Sequence, residues 1–282
     1  MNPAPPLPSF TMHARQSFGR ALARALAGAI LFSFPLLMTM EMWWMGIYLD
    51  RARLLLLLVL TLLLLLPLSY FVGFERTGGA NEDALDAIVA FGVGAVAAAL
   101  MLILFGIITL AMPLNEIVGK IAIQTVPASI GAILARGQLG SGQKDLEAKQ
   151  RRAGYPGQLF IMLAGAIFLA FNVAPTDEML LIAFKMTYLQ ALSLMLLSIL
   201  ALHAFVYALD FRGSEHAPAG MKFGWLLISH SVAGYGIAVV VSLYVLWTFG
   251  RTDGASLTQI AMMTTVLGFP AALGAASARI II

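Results

Sequence analysis

The chain has 282 residues, of which 60% are apolar and only 11% are charged. This composition excludes a soluble domain and indicates a helical protein that crosses a membrane several times. The net charge of +3 does not indicate a nucleic-acid partner, because most Lys and Arg residues lie between apolar runs, where they set topology. The sequence contains no cysteine, which excludes disulfides, thiolate catalysis and cysteine-ligated metals.

Eight apolar runs, separated by polar segments, predict an all-α polytopic membrane protein with eight transmembrane helices. A basic, Pro-rich tail (1–20) precedes the first run, and a basic linker (137–158) separates two groups of four. We therefore expect one membrane repeat over 21–136 and a second over 159–282. The runs lie near Ala21–Leu49, Leu54–Phe74, Ala87–Leu110, Glu116–Ala135, Leu159–Met186, Gln190–Phe211, Lys222–Phe249 and Ser256–Ala278.

The two groups of four runs share sequence in the same order, which indicates an internal duplication. Leu26–Met42 (LAGAILFSFPLLMTMEM) matches Leu163–Met179 (LAGAIFLAFNVAPTDEM) without a gap. Two further matches follow at nearly the same spacing along the chain: Pro127-Ala128 with Pro270-Ala271 and Gly131-Ala132 with Gly274-Ala275, and Gly92 and Gly94 with Gly234 and Gly236.

Four spans per repeat is an even number, so both repeats insert with the same orientation, related by an axis along the membrane normal. Of the 17 Lys and Arg residues, twelve lie on the side of the termini and the central linker. The opposite side has Arg51, Arg53, Lys120, Lys185 and Arg251. The excess predicts that both termini are cytoplasmic.

The first apolar run is too long for a simple span. About 28 residues of continuous helix would extend roughly 42 Å, against a hydrocarbon core of roughly 30 Å. Pro35 offers a break, and in the second copy Pro175 precedes Thr176-Asp177, as at a helix start. We predict that the first and fifth helices are broken or kinked there, with backbone carbonyls left free near 172–174.

Each copy of the duplicated segment carries a glutamate at the same position, Glu41 and Glu178. An ionisable residue inside a membrane segment costs about 2.5–3.5 kcal/mol and is a functional candidate by default. The favoured interpretation is that both glutamates line a shared polar cavity near the axis between the repeats. The alternatives are a structural role, with hydrogen bonds that join the repeats, and simple placement at the membrane–water interface.

Four neighbouring residues complete the predicted ion site. Hydroxyls, amides and carboxylates form the hard oxygen-rich ligand set that cations prefer. The sequence therefore predicts a cation pathway that contains Thr39, Asn172, Thr176 and Asp177 beside the two glutamates.

Polar residues elsewhere in the spans are weaker candidates. Glu116 is spaced for an ion pair with Lys120, and Gln124 either faces the cavity or bonds across helices. His203 and His230 are each expected to fill a packing or interhelical hydrogen-bonding role more readily than that of a proton relay.

Three motifs resemble an uncharacterised family of bacterial integral membrane proteins with two repeats and about this length. They are TMEMWW (39–44), NVAPTDEM (172–179) and VPASIGA (126–132). The resemblance implies a membrane location and emphasises the same acidic motifs, but it implies no activity.

No enzyme signature, such as a metalloprotease, nucleophile-elbow, Walker A or dinucleotide motif, occurs in the chain. The sequence predicts a channel or secondary transporter for a small cation or a proton, without cofactor or resident metal. The alternative is a non-transporting scaffold or sensor subunit in which the glutamates are structural. The expected partner is the lipid bilayer, and association with further copies of the chain is left open.

Overall fold

The computed structural model describes residues 10–72, 80–109, 111–139, 154–208 and 227–281. Every regular element in these ranges is helical. The α-helices are α1 (Phe10–Leu37), α2 (Met40–Tyr48), α3 (Arg51–Val72), α4 (Ala80–Leu104), α5 (Leu114–Leu139), α6 (Gly154–Val173), α7 (Asp177–Lys185), α8 (Tyr188–His203), α9 (Ala233–Thr248) and α10 (Leu257–Ile281). Two π-helical segments, Ala204–Ala208 and Leu227–Val232, extend α8 and precede α9.

Within the described residues, eight helical segments are long and apolar enough to cross a membrane, which confirms the polytopic all-α class. Among the described α-helices, α2 and α7 belong to none of these eight segments. Each has nine residues and extends only about 13 Å, too short to cross a bilayer. The eight segments are Gly19–Leu37, Arg51–Phe71, Asn81–Leu104, Leu114–Leu134, Gly154–Val173, Tyr188–Val206, His230–Thr248 and Leu257–Arg279.

The long first and fifth runs each fold as a spanning helix followed by a short one. In the first half, α1 ends at Leu37, Thr39 adopts extended geometry (φ −94°, ψ 117°) and α2 begins at Met40. In the second half, α6 ends at Val173 and Thr176 is likewise extended (φ −72°, ψ 140°) before α7. The residues in excess of the bilayer thickness thus form the separate helices α2 and α7.

The two halves repeat the same pattern around their short helices. The short helices α2 and α7 have the same length, and in both halves the next helix begins at the same distance along the chain from the end of the short one. The turns after α4 and α9 each contain a glycine with positive φ, Gly106 (70°) and Gly250 (71°). This recurrence supports the interpretation of two tandem repeats.

The expected match of Gly92 and Gly94 with Gly234 and Gly236 is wrong by two positions. Gly94 is buried against Ser129, whereas an added Cβ on Gly236 would meet nothing within 4 Å. Alignment of the two glycine turns that follow α4 and α9 pairs Gly94 with the buried Ala238 instead. Small residues recur along these packed faces, so sequence alone did not reveal the shift.

Within each half, a glycine contact joins the first spanning helix to the last. A Cβ added to Gly131 on α5 would lie 2.6 Å from the carbonyl oxygen of Gly28 on α1. The equivalent contact joins Gly274 on α10 to Gly165 on α6, where an added Cβ would overlap the carbonyl oxygen. The absence of side chains lets these backbones approach closely, as is common between membrane helices.

The halves touch through aromatic contacts and together line an apolar cavity. Phe32 lies edge-to-face with Phe168 at 5.7 Å, and Phe71 stacks on Phe160 at 5.9 Å. Between the halves lies a cavity of about 250 Å³, and none of its lining residues is ionisable. This cavity therefore differs from the polar one expected near the axis.

The observed helices extend beyond three predicted boundaries. Residues 10–20 of the predicted tail belong to α1, α5 continues to Leu139 within the predicted linker, and α6 begins at Gly154 within it. Residues 1–9 and 140–153, which make up most of the remaining tail and linker, lie outside the described residues.

Candidate functional site

A polar pocket of about 390 Å³ lies between the two halves, where the α2–α3 and α9–α10 turns meet. Both turns connect spans on the same face of the membrane, the face opposite to the segment that joins the halves. The first half contributes Met40, Glu41, Trp44, Met45, Tyr48, Leu49, Asp50 and Arg53, and the second contributes Asp177, Phe249, Gly250, Arg251 and Asp253.

Both arginines of the pocket are engaged. Arg53 on α3 donates two hydrogen bonds of 2.9 Å to the carboxylate of Asp253, which joins the two halves. Its guanidinium also lies 4.9 Å from the ring centroid of Trp247 and donates to the carbonyl of that residue. Arg251 donates to Asp177 at 2.9 Å and to the carbonyl oxygen of Pro175.

Three of the four carboxylates in the pocket are engaged as well. Asp50 accepts hydrogen bonds of 3.0 Å from the backbone N–H groups of Ala52 and Arg53, at the start of α3. Asp177 and Asp253 are bound to arginines. Glu41 is half-buried, and its carboxylate has no hydrogen bond or ion pair to any described residue. Four carboxylates and two guanidiniums give the pocket a formal charge of −2.

The second half presents a different carboxylate from the one expected. Glu178 is exposed and does not line this pocket, whereas Asp177, one residue earlier on α7, does. Successive helix residues point about 100° apart, so the helix can turn only one of the two into the pocket. The pocket therefore combines Glu41 with Asp177 in place of the expected pair of glutamates.

The hydroxyl and amide groups predicted as ligands serve the ends of the helices. Thr39 donates to the carbonyl of Pro35 at 2.7 Å, Thr176 to that of Val173 at 2.8 Å and Asn172 to that of Phe168 at 2.7 Å. Terminal helix carbonyls lack intrahelical partners, and here at least the carbonyl of Val173 is taken. None of the three side chains lines the pocket.

Two weaker candidates on α5 have structural partners. Lys120 is buried and forms an ion pair of 2.6 Å with Glu116. Gln124, with 1% of its surface exposed, donates to the carbonyl of Leu36 at 2.9 Å. The ion pair and the bond across helices, which were among the interpretations left open, are thus the ones observed.

The two histidines lie between helices of the second half. His203 Nδ1 lies 2.8 Å from Ser231 Oγ, and the ring of His230 packs edge-to-face against Tyr155 at 5.2 Å. Both contacts agree with the interhelical roles predicted for them.

Sequence reasoning missed Arg53, Arg251 and Asp253 as pocket residues. They lie in or beside the α2–α3 and α9–α10 turns. Because 200 residues separate Arg53 from Asp253, the sequence does not show that they meet. It also missed Asp86, a buried carboxylate on α4 that lies 3.5 Å from the hydroxyl of Ser69.

A protein-family model described as "Putative integral membrane protein (DUF2391)" matches residues 21–282. The chain belongs to this family. The match spans both halves and confirms the resemblance that the acidic motifs carry. A search of curated proteins and a search of solved structures each found no significant match.

The bridge between the halves is expected to break only in acid. The hydrogen bond from Arg53, followed by its charge, lowers the pKa of Asp253 below the ordinary 3.8, although desolvation opposes this. A lowered pKa means that the bridge contributes fully above pH 3.8 and is lost as the pH falls through the lower folded-state value. The guanidinium of Arg53 lies over the ring of Trp247, so tryptophan fluorescence should sense the loss of the bridge. We expect it to stay constant from about pH 7 to 5 and to change below about pH 4.

The Asp253→Asn variant is the control for this titration, since its side-chain amide does not take up a proton. Its fluorescence should lack the acid transition. A transition centred near pH 6, or one that persists in Asp253→Asn, would mean that another group is responsible.

Proposed function

We propose that this membrane protein moves a small cation or a proton across the bilayer, as a channel or a secondary transporter, and that Glu41 attracts it. The observation that supports this is the state of Glu41: it is the one carboxylate of the pocket without a partner among the described residues. In this proposal both termini are cytoplasmic and the pocket opens on the outer face of a bacterial inner membrane, which the excess of Lys and Arg on the side of the termini supports.

The electrostatics of the pocket favour a cation. Its formal charge is −2, and the arginines are held by Asp177 and Asp253, so Glu41 adds charge that no fixed cation neutralises. Apolar walls, which include Leu49 and Phe249, focus such a field and raise the local concentration of positive ions.

The apolar cavity between the halves offers no polar path for an ion. Its lining includes the contact of Phe32 with Phe168 and no ionisable residue. An apolar constriction opposes ions because it cannot replace their hydration. We infer that conduction requires the two halves to move relative to each other.

Flux into liposomes tests the proposal. The wild-type protein should dissipate an imposed gradient of H⁺, Na⁺, K⁺ or a small organic cation faster than empty liposomes. Glu41→Gln should slow the initial rate about tenfold or more, because the neutral amide attracts cations less by at least ~1.4 kcal/mol.

Glu178→Gln is the matched control for this experiment. It makes the same substitution at the equivalent position of the second half, outside the pocket, and its rate should stay within about twofold of the wild type, below a difference of ~0.5 kcal/mol. Equal flux in the wild type and in Glu41→Gln would exclude the role of this carboxylate.

A non-transporting scaffold or sensor subunit is the second candidate. The double hydrogen bond of Arg53 to Asp253, together with its position over Trp247, supports it because these charged groups tie the halves together. This function predicts that no gradient is dissipated, while Arg53→Gln lowers the melting temperature of the purified protein.

A further inference from the structure

The lining of the polar pocket indicates which kind of cation it takes. We propose that its ligand is an organic ammonium ion, and in particular one that carries methyl groups. This proposal rests on the proposed function, since it names the substrate class of the Glu41 pocket. The geometry that supports it is one face of α2, where Glu41, Trp44 and Tyr48 all line the pocket.

These three residues are spaced for a single helix face. Positions separated by three, four and seven residues lie above one another on an α-helix. The rings of Trp44 and Tyr48 are nearly parallel, at an interplanar angle of 10° and a centroid distance of 6.0 Å. Their exposed fractions are 51% and 75%, so much of their surface is available to a ligand beside the carboxylate.

An aromatic wall and one free carboxylate suit an alkylammonium ion. Cations without strong hydration are attracted to the faces of Trp and Tyr, and aromatic sites for quaternary ammonium groups are a recurrent use of this attraction. The methyl groups would contact Met40, Met45 and Phe249, which also line the pocket. Its volume of about 390 Å³ falls in the range of pockets that bind small organic molecules.

The same pocket is poorly equipped for a dehydrated metal ion. Such an ion needs several oxygen ligands in place of its water shell. Here Asp50, Asp177 and Asp253 already accept hydrogen bonds. In the part of the chain that the structure describes, no group of three acidic, histidine or cysteine side chains is placed to hold a metal.

One charged side chain of the pocket already lies over an aromatic ring. The guanidinium of Arg53 lies 4.9 Å from the centroid of Trp247, so a planar cation and an indole are neighbours in this local environment. A free ligand over Trp44 or Tyr48 would repeat this contact, with Glu41 in the role that Asp253 has for Arg53.

A competing explanation is that Trp44 and Tyr48 only anchor α2 at the membrane interface. Tryptophan and tyrosine are enriched there without binding any ligand. This explanation requires neither the neighbouring carboxylate nor a pocket, and it predicts that removing Trp44 leaves cation binding unchanged.

Titration of the purified full-length protein with tetramethylammonium chloride tests the proposal. Binding is followed by calorimetry, against potassium chloride at the same ionic strength. The wild type should bind tetramethylammonium more tightly than K⁺. Trp44→Leu should weaken that binding by about 2- to 30-fold, and Glu41→Gln should abolish it.

The substitution of Trp44 by leucine has a precedent in the fold. Leu181 occupies the equivalent position on α7 of the second half, as the fifth residue of its short helix. Phe184→Leu is the matched control, since it removes an exposed aromatic ring on α7 outside the pocket. Its affinity for tetramethylammonium should equal that of the wild type.

The outcomes separate this proposal from the proposed function. Binding of tetramethylammonium that depends on Trp44 and Glu41 supports the ligand class, even if the liposomes show no flux and transport is thereby refuted. Flux of an inorganic cation that requires Glu41, without binding of tetramethylammonium, overturns the ligand class and leaves transport standing. Binding unaffected by Trp44→Leu also overturns the proposal, in favour of an interfacial anchor.

Discussion

Gly274→Ala is expected to lower the melting temperature of the purified protein strongly. An added Cβ at this position on α10 would overlap the carbonyl oxygen of Gly165 on α6 and lie 2.9 Å from the Cβ of Leu169. The obstacle includes backbone, so two spanning helices must separate. Overpacking of this kind costs about 1–3 kcal/mol, occasionally more, and thermal unfolding in detergent measures it.

The control is Gly236→Ala, on α9. Its added Cβ would meet nothing within 4 Å, and alanine is the better helix former by ~1 kcal/mol. The melting temperature should therefore stay the same or rise. If both alanine variants melted alike, the close approach of α6 and α10 would not be a stabilising contact.

Glu116→Gln is expected to be the most destabilising substitution of a charged residue on α5. It leaves the ammonium of Lys120, whose side chain is only 7% exposed, without the carboxylate 2.6 Å away. The remaining contact to a carbonyl, that of Ile107 at 3.3 Å, is longer. Removing one partner of a buried ion pair costs about 3–5 kcal/mol, which denaturation in detergent should register.

The second half supplies a matched rescue for this variant. When α5 and α10 are aligned from their first residues, Gln259 and Met263 occupy the positions of Glu116 and Lys120. The double variant Glu116→Gln/Lys120→Met therefore copies the second half and should regain most of the stability that Glu116→Gln loses. A single variant as stable as the wild type would instead mean that Lys120 is hydrated.

The spans and the helix breaks could be predicted because each depends on local sequence. Apolar runs of about 20 residues are needed to cross a bilayer, so their number follows from the sequence directly. Pro35 and Pro175 mark the regions where α1 and α6 end, since proline cannot continue the hydrogen-bond ladder. Which residues after each break form α2 and α7 was not evident, because apolar periodicity alone does not distinguish one long helix from two.

The pocket could be predicted only in part. Glu41 stood out as an ionisable residue inside a predicted membrane run, and it does line the pocket. The choice between Asp177 and Glu178 depends on the rotation of α7 about its axis, which sequence does not specify. The bridge from Arg53 to Asp253 depends on how two turns far apart in the sequence are arranged. In the sequence, each of the two residues resembles an ordinary charged loop residue.

The two halves share a framework but differ in chemistry at this face. In the first half Asp50 caps α3, and in the second half Thr187 caps α8 at the equivalent position through a capping box with Gln190. Gln190 itself corresponds to Arg53, since each is the third residue of its helix. The cap is thus kept while the charge is not, so the pocket is built asymmetrically from a repeated frame.

The charge of Glu41 in the pocket is the central claim, and the reactivity of a single thiol measures it most directly. The natural chain contains no cysteine, so Met45→Cys places one thiol in the pocket lining. Rates of reaction with cationic and anionic methanethiosulfonate reagents are compared, each divided by its rate with a small free thiol. The cationic reagent should react faster, and adding Glu41→Gln should reduce the ratio about fivefold, while adding Glu178→Gln leaves it unchanged. A ratio that does not respond to Glu41→Gln would contradict the account.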